Sequence, residues 1–408
     1  MSKKNRLLII NSACNYGSTG KIVEQIGLLA KANDWEVCVA HSSRYSSNSS
    51  LESFRIGSSF SEMCHAFVSF VFDRHGFASY FPTKRLIRKI KEYKPDVINL
   101  HNIHGYYINI PLLINFLSRN RTPIVWTLHD CWPITGHCSY FDMVSCSKWK
   151  SLCTHCPGLY IYPKSIWDNS SLNYKQKKAL FQSLSRLILV PVSEWLGSIL
   201  NNSFLSCFPT HVIHNGIDIG VFRIKKNSLR EQLGLVGKFV VLGVSSNGFA
   251  GRKGLSDFIK LSSQLSDEYQ IIMIGMKNNE IDLVTSRIIG LKRTSNIEEL
   301  VDYYNLADVF INPTYSDNFP TTNIEALACG TPVITYRTGG SPEAVDSKTG
   351  IVVEQGDLNS LIDAIKHIKD YPLLAADCRK RAQDHFDKNK CFKRYIDLYE
   401  SITDGVLK

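Results

Sequence analysis

Glu325 lies about one helical turn inside a segment that reads as a helix start, and a carboxylate so placed suits two vicinal hydroxyls. The stretch around it, DVFINPTYSDNFPTTNIEALACGTPVITYRTGGSPE over residues 308–343, explains the placement. Val309-Phe310-Ile311 is a short buried strand that Asn312-Pro313 ends. Pro320 precedes a helix whose expected N-cap is Thr321, with Thr322, Asn323 and Ile324 in the first turn. Gly330 suits a left-handed C-cap, and Pro332 stops continuation. A second strand, residues 332–336, leads through Gly339 and Gly340 to Glu343, where another helix is expected to open. Two sets of free backbone N–H groups thereby fall at one sheet edge, and helix N-termini favour phosphate. Together with Glu325 they suit a sugar nucleotide.

Four cysteines, Cys138, Cys146, Cys153 and Cys156, stand within residues 137–157, with His137 and His155 beside them. One Cys-x2-Cys pair with two further thiols suits a tetrahedral structural zinc, although the first two gaps are not those of a standard ribbon. Free thiols are the other reading, and both stay open. The loop Asn15-Tyr16-Gly17-Ser18-Thr19-Gly20-Lys21 resembles a phosphate loop. Asn15 stands where a Walker motif needs its first glycine, and Ile22 takes the Ser/Thr position, which excludes an ATPase.

The elements that must carry these groups read as strands and helices in alternation, over a length that suggests two domains. Buried strands are expected at residues 7–10, 35–40, 95–100, 124–128 and 187–192, then at 238–245, 270–276 and 287–291. Residues 42–50 read as a polar loop. The composition, 44% apolar and 21% charged, is that of an ordinary globular protein. No apolar run reaches the roughly 18 residues of a membrane span. The N-terminus offers only five apolar residues before Asn11, too few for a signal peptide. A cytoplasmic location is expected, and with it thiols or metal ligands rather than disulfides.

The net charge of +10 is uneven: residues 1–222 hold 23 Lys/Arg against 13 Asp/Glu, and residues 223–408 hold 24 of each. The first half therefore suits an anionic partner. Aromatics from Phe67 to Phe81 are followed by a helix bearing Lys84, Arg85, Arg88, Lys89, Lys91 and Lys94. Such a segment either lies on an anionic membrane surface or is a solvated face.

Asp317-x7-Glu325, followed by Ala326-Leu327-Ala328-Cys329-Gly330-Thr331-Pro332-Val333 and Gly339-Gly340-Ser341-Pro342-Glu343, resembles the signature of retaining glycosyltransferases of family four (group 1), the bacterial polysaccharide-biosynthesis type. The family's motif is Glu-x7-Glu, so Asp317 is shorter by one methylene. The resemblance covers nearly the whole chain and is strongest over residues 238–353. It implies the GT-B fold: α/β, with two Rossmann-like doubly wound parallel-sheet domains facing across a cleft. The expected bounds are 1–222 for the acceptor-side domain with its Cys-rich insertion at 137–157, 223–387 for the nucleotide-sugar domain, and 388–408 for a helix returning to the first domain.

The resemblance further implies that Glu325 holds the nucleotide ribose and that Asp317 lies nearer the donor sugar. It assigns Lys253 to the diphosphate, with Arg252 substituting for the family arginine, whose position is here Gly248. His129, in a His-Asp pair, resembles the family's cleft histidine; a histidine bonded to backbone is the plainer reading. Gly17 and Thr19 would face donor phosphate and acceptor; an ordinary strand-to-helix turn is the alternative. Thr321, Thr322, Asn323, Gly340 and Glu343 complete the expected donor contacts.

The reading is sugar transfer, with retention, from a UDP- or GDP-sugar to an acceptor hydroxyl, expected on a lipid-linked glycan at the inner face of the cell membrane. No Asp-x-Asp motif is present, and no cofactor is expected to be needed for catalysis. The alternatives are a GT-B sugar-nucleotide epimerase and a noncatalytic nucleotide-sugar- or nucleic-acid-binding protein. No aromatic-basic nucleic-acid motif appears, so nucleic acid is not an expected partner.

Overall fold

The computed structural model describes residues 4–246 and 248–406. Asn247, which precedes Gly248, lies outside the described residues. The chain forms two compact units: residues up to His214 with those from Phe392 onward, and Asn215–Cys391. The divisions thus fall eight residues before the expected 222/223 boundary and four after the expected 387/388 boundary.

The first unit contains β1 (Arg6–Cys14), β2 (Glu36–Ser46), β3 (Glu52–Arg55), β4 (Val97–Leu100), β5 (Ile124–Leu128) and β6 (Leu187–Pro191). They form one parallel sheet in the order β3-β2-β1-β4-β5-β6. The second contains β7 (Phe239–Val244), β8 (Tyr269–Ile274), β9 (Ile288–Leu291), β10 (Val309–Asn312), β11 (Val333–Tyr336) and β12 (Gly350–Val353). Their order is β12-β11-β10-β7-β8-β9, again parallel. Counted from the first strand of each unit, both sheets read 3-2-1-4-5-6, the doubly wound order. The central strands are continuous apolar runs because helices cover both faces. Val240, Val241 and Leu242 are fully buried, and each such side chain contributes about 1.5–3 kcal/mol of transfer free energy.

Two local readings change. Residues 42–46 extend β2 rather than forming a loop, since Ala13 and Cys14 pair with Tyr45 and Ser46 across a bulge. β3 had no legible apolar run; it is an exposed edge strand, ESFR. The last helix, Lys388–Thr403, ends in the first unit, where Tyr399 Oη donates to Asn99 Oδ1 on β4 at 2.8 Å. Among the described residues no helix is long and apolar enough to cross a membrane.

In this topology the strand order reverses between β1 and β4, and between β7 and β10. The loops at the carboxyl ends of those strands are where such sheets bind ligands.

Candidate active site

The loops after β7 and β10 bring three of the expected residues together. Lys253 Nζ lies 2.5 Å from Asp317 Oδ2, and Arg252 Nη1 lies 3.5 Å from the same oxygen. Arg252 Nη1 also donates to the Ser316 carbonyl at 2.7 Å, while the Arg252 carbonyl accepts from the Tyr315 amide and the Thr314 hydroxyl. Burial pulls Lys253 below the ordinary lysine range, against the attraction of Asp317. Burial would raise Asp317, but the Lys253 and Arg252 cations outweigh it and hold the carboxyl below the aspartate range. The trio sets two basic side chains against one carboxylate.

The loop is held from below by a residue the sequence reading passed over. Glu280 is buried, and its carboxylate accepts from the amides of Phe249 (2.9 Å), Ala250 (2.7 Å) and Lys277 (2.9 Å). It occupies the loop's inner amides and leaves Arg252 and Lys253 to face Asp317. A lone Glu in a short polar helix carries no sequence signal for this role.

The helix of the opening motif runs Thr321–Ala328, and its N-cap is Pro320, not Thr321. Proline has no side-chain oxygen, so the cap supplies no acceptor to the first-turn amides, and Thr321 and Thr322 are partly exposed there. Asn323 is fully buried instead. It accepts from Asn312 Nδ2 at 2.8 Å and donates to the Ser341 carbonyl at 3.4 Å. It fastens this N-terminus beside the next turn. That next segment, Ser341–Ala344, is a single 3-10 turn capped by buried Gly340, where a helix was expected. Glu343 is partly exposed on it, and its carbonyl accepts from Arg381 Nη2. Gly339 has φ +53°, and a Cβ there would sit 1.8 Å from the Asp317 carbonyl oxygen. Only glycine lets this turn close on Asp317.

Glu325 is partly buried and accepts from the Tyr304 phenol at 2.9 Å. Burial, then the Glu325 charge, holds Tyr304 protonated as a donor. One carboxylate oxygen is thus aimed by Tyr304. The tyrosine lies on the preceding helix, Ile297–Leu306, and nothing in the spacing marks it.

In the first unit, His129 follows β5. Its Nε2 is 2.9 Å from His101 Nδ1, and His101 Nε2 is 2.8 Å from Asn99 Oδ1. Asn99 Nδ2 donates to Val125 O and Thr127 Oγ1, which assigns Oδ1 as its acceptor. The proton order follows: His101 Nε2–H donates to Asn99, and His129 Nε2–H donates to His101 Nδ1. Both rings are neutral. Burial pushes His129 down to about 4 and His101 well below the usual imidazole range. Asp130, the next residue in the chain, lies 2.8 Å from His104 Nε2. After β1, Gly17 opens the helix Gly17–Ala32 at φ +63°, with Tyr16 as an extended N-cap that makes no side-chain cap hydrogen bond. Gly17 is exposed and Thr19 partly so.

Cys138, Cys146, Cys153 and Cys156 line one pocket with His137, Phe141 and Trp149, and all four are free thiols. Cys153 Sγ accepts from the Gly136 amide at 3.2 Å. A hydrogen bond from Cys138, with His137 nearby, lowers the Cys156 thiol against the effect of burial. The thiols converge, yet among the described residues no group of three or more His, Cys, Asp or Glu is arranged to hold a metal ion. The pocket as it stands fits hydrogen-bonded thiols, and the expected zinc gains no support from its geometry.

The fold matches solved structures over nearly its whole length. Sucrose-phosphate synthase from Thermosynechococcus elongatus superposes with a TM-score of 0.74 at 18% identity, covering 98% of this chain and 100% of that one. Anabaena HepE, in complex with UDP and glucose, gives 0.68 at 17%, covering 98% and 100%. Residues 26–221 match Glycosyltransferase Family 4, and residues 225–385 match Glycosyl transferases group 1. The chain is a GT-B glycosyltransferase. Among relatives of this transferase, WcaC of Escherichia coli K12, a glycosyl transferase named for colanic acid biosynthesis, is 23% identical over 81% of the chain and 82% of its own length. The capsular polysaccharide biosynthesis glycosyltransferase CapM of Staphylococcus aureus is 28% identical over 46% of the chain, and the match spans about half of CapM, 53%. These matches do not favour the epimerase and noncatalytic alternatives.

Proposed function

We propose that the transferase moves a sugar from a nucleoside diphosphate sugar to a hydroxyl of a growing cell-surface polysaccharide, with retention of configuration. The observation that carries this reading is the Arg252–Lys253–Asp317 cluster beside the uncapped N-terminus at Thr321. Arg252 and Lys253 meet the charge that grows on the departing diphosphate, while the helix N-terminus adds its dipole. The acceptor oxygen bonds to the anomeric carbon as the anomeric C–O bond to the diphosphate breaks. The electron pair leaves with the diphosphate, and a diphosphate oxygen takes the acceptor's proton. Asp317 keeps Lys253 charged and aimed before the donor arrives.

Glu325, aimed by Tyr304, accepts from the two ribose hydroxyls. Thr321, Thr322 and the Gly340 turn line the diphosphate. Neutral His129, its Nε2 proton committed to His101, offers an uncharged ring on the sugar side of the reaction. Gly17 and Thr19 serve the acceptor side. WcaC and CapM, both named for polysaccharide biosynthesis, support a glycan acceptor, which we read as lipid-linked and reached from the cytoplasmic face of the membrane. HepE binds UDP and UDP-glucose, which puts UDP ahead of GDP as the nucleotide to test first.

The experiment is a thermal-shift screen of UDP- and GDP-sugars followed by transfer assays with the stabilising donor. A donor that stabilises the protein and is consumed with EDTA present is the expected result. No shift with any nucleotide sugar would defeat the reading.

A further inference from the structure

The helix Ser59–Phe72 is turned inside out. Its buried side chains are Glu62, His65 and Ser69, and its outward face is apolar. Two of the inward polar groups are held in place: Glu62 Oε1 accepts from the Ser43 amide at 2.5 Å, while His65 meets Ser79 Oγ at 2.8 Å and the Gly76 amide at 3.0 Å. Outside, Phe60 (70% exposed), Phe67 (64%) and Phe70 (47%) recur at helical spacing with Met63 between them. A helix that only had to cover this sheet would present the opposite pattern.

The apolar face continues beyond the helix. The Phe70 carbonyl accepts from the Ile166 amide at 2.8 Å and from Ser165 Oγ at 3.0 Å, which brings exposed Ile166 and Trp167 alongside. The contact of His65 with Ser79 sets the start of the basic helix Tyr80–Tyr93 against the same element, with Phe81 79% exposed. That helix buries Thr83, Leu86 and Ile90, while Arg88 and Lys89 project into solvent. Rings and aliphatic side chains outward, flanked by cations, in the half of the chain that holds all the excess positive charge: this is the chemistry of an anionic bilayer surface.

We infer that the Phe60/Phe67/Phe70 face, with Ile166, Trp167 and Phe81, inserts into the interfacial layer of an anionic membrane while the Tyr80–Tyr93 helix pairs with its headgroups. The inference deepens the reading of a lipid-linked acceptor and rests on it only for its purpose. The docking geometry stands on the patch itself.

The test is flotation of the full chain with vesicles of phosphatidylcholine alone or mixed with phosphatidylglycerol, at low and high salt. Binding is expected only with phosphatidylglycerol, with a blue shift of tryptophan emission that Trp167→Phe removes. The combined Phe60→Ser, Phe67→Ser, Phe70→Ser variant is expected to lower partitioning by about tenfold or more, including the part that survives high salt. Arg88→Glu with Lys89→Glu should remove only the salt-sensitive part. Because the three rings are exposed, the triple variant should keep its melting temperature and its vesicle-free donor turnover. Absence of flotation at low salt overturns the inference, as does a triple variant that floats like the parent. So does a parent that self-associates through these rings and is released as monomer by their loss, with vesicle binding unaltered. If flotation behaves as expected while no nucleotide sugar is turned over, the docking stands and the proposed reaction fails.

Discussion

The two sheets share one strand order but treat charge in opposite ways. In the second unit, the loops after β7 and β10 set Lys253 and Arg252 against Asp317, and the two cations outweigh burial at that carboxyl. In the first, the residues after β4 and β5 are histidines stacked on each other, 5.2 Å between rings, and burial strips them of charge. The six cations Lys84, Arg85, Arg88, Lys89, Lys91 and Lys94 of the same unit are exposed instead. The same frame thus yields a cluster of paired charges in one unit and, in the other, a neutral imidazole pair beside the His104–Asp130 contact. What a doubly wound sheet fixes is where a site lies; whether counter-charges accompany the burial decides its chemistry.

The comparison is most easily broken at Lys253. Lys253→Ala is expected to lower kcat/KM by about a hundred- to a thousandfold, the loss of one transition-state charge contact worth about 2.7–4 kcal/mol. His129→Ala should cost less, because it withdraws a neutral ring. Equal losses in steady-state kinetics would erase the distinction.

Acid should separate the units next. An unfolded histidine ionises near 6.5, whereas His129 and His65 are pushed down to about 4 by burial. Between those values the unfolded chain binds protons that the folded chain refuses, so stability falls as pH drops through that window, by at most about 3 kcal/mol per ring. Asp317 acts in the same direction but in a lower window. Its depressed carboxyl stabilises the second unit above the ordinary value of 3.8, a term lost only as pH falls below it. Hydrogen exchange from pH 7 to 4 should show β4 and β5 losing protection before β7 and β10. Simultaneous loss would contradict the contrast.

Glu325→Ala removes a charged acceptor worth about 1.5–3 kcal/mol, and should weaken binding of the free nucleoside diphosphate at least about tenfold by calorimetry. Tyr304→Phe loses only the aim, at about 0.5–1.5 kcal/mol. The smallest effect concerns the thiol pocket. Native alkylation followed by mass spectrometry should label Cys156, partly exposed and depressed, before buried Cys138 and Cys153. Protection of all four, with about one zinc per chain by elemental analysis, would show that the loops close on a metal after all.

Much of this protein was decided by its sequence alone. Continuous apolar runs set the central strands, Gly330 and Pro332 ended the motif helix, and the Asp317-x7-Glu325 spacing pointed to a nucleotide sugar, because these are local matters of backbone geometry and periodicity. The uneven charge was also plain in the chain. Contacts far apart in sequence were not. Tyr304 and Glu325 lie on different helices, Glu280 reaches the Phe249 and Ala250 amides across the β8 loop, and Tyr399 finds Asn99 from the far end of the chain. Thr321 looked like a cap because its hydroxyl suits one, but backbone angles gave that place to Pro320. That Asn323 is buried and ties Asn312 to Ser341 was likewise not legible in its place in the motif. The aromatic run from Phe67 was visible as composition, yet only packing showed Glu62 and His65 turned inward and the rings left outside. A residue's type limits the chemistry it offers; what it faces is set by the neighbours that tertiary packing brings, and here those neighbours converted similar side chains into charges, fasteners or an exposed face.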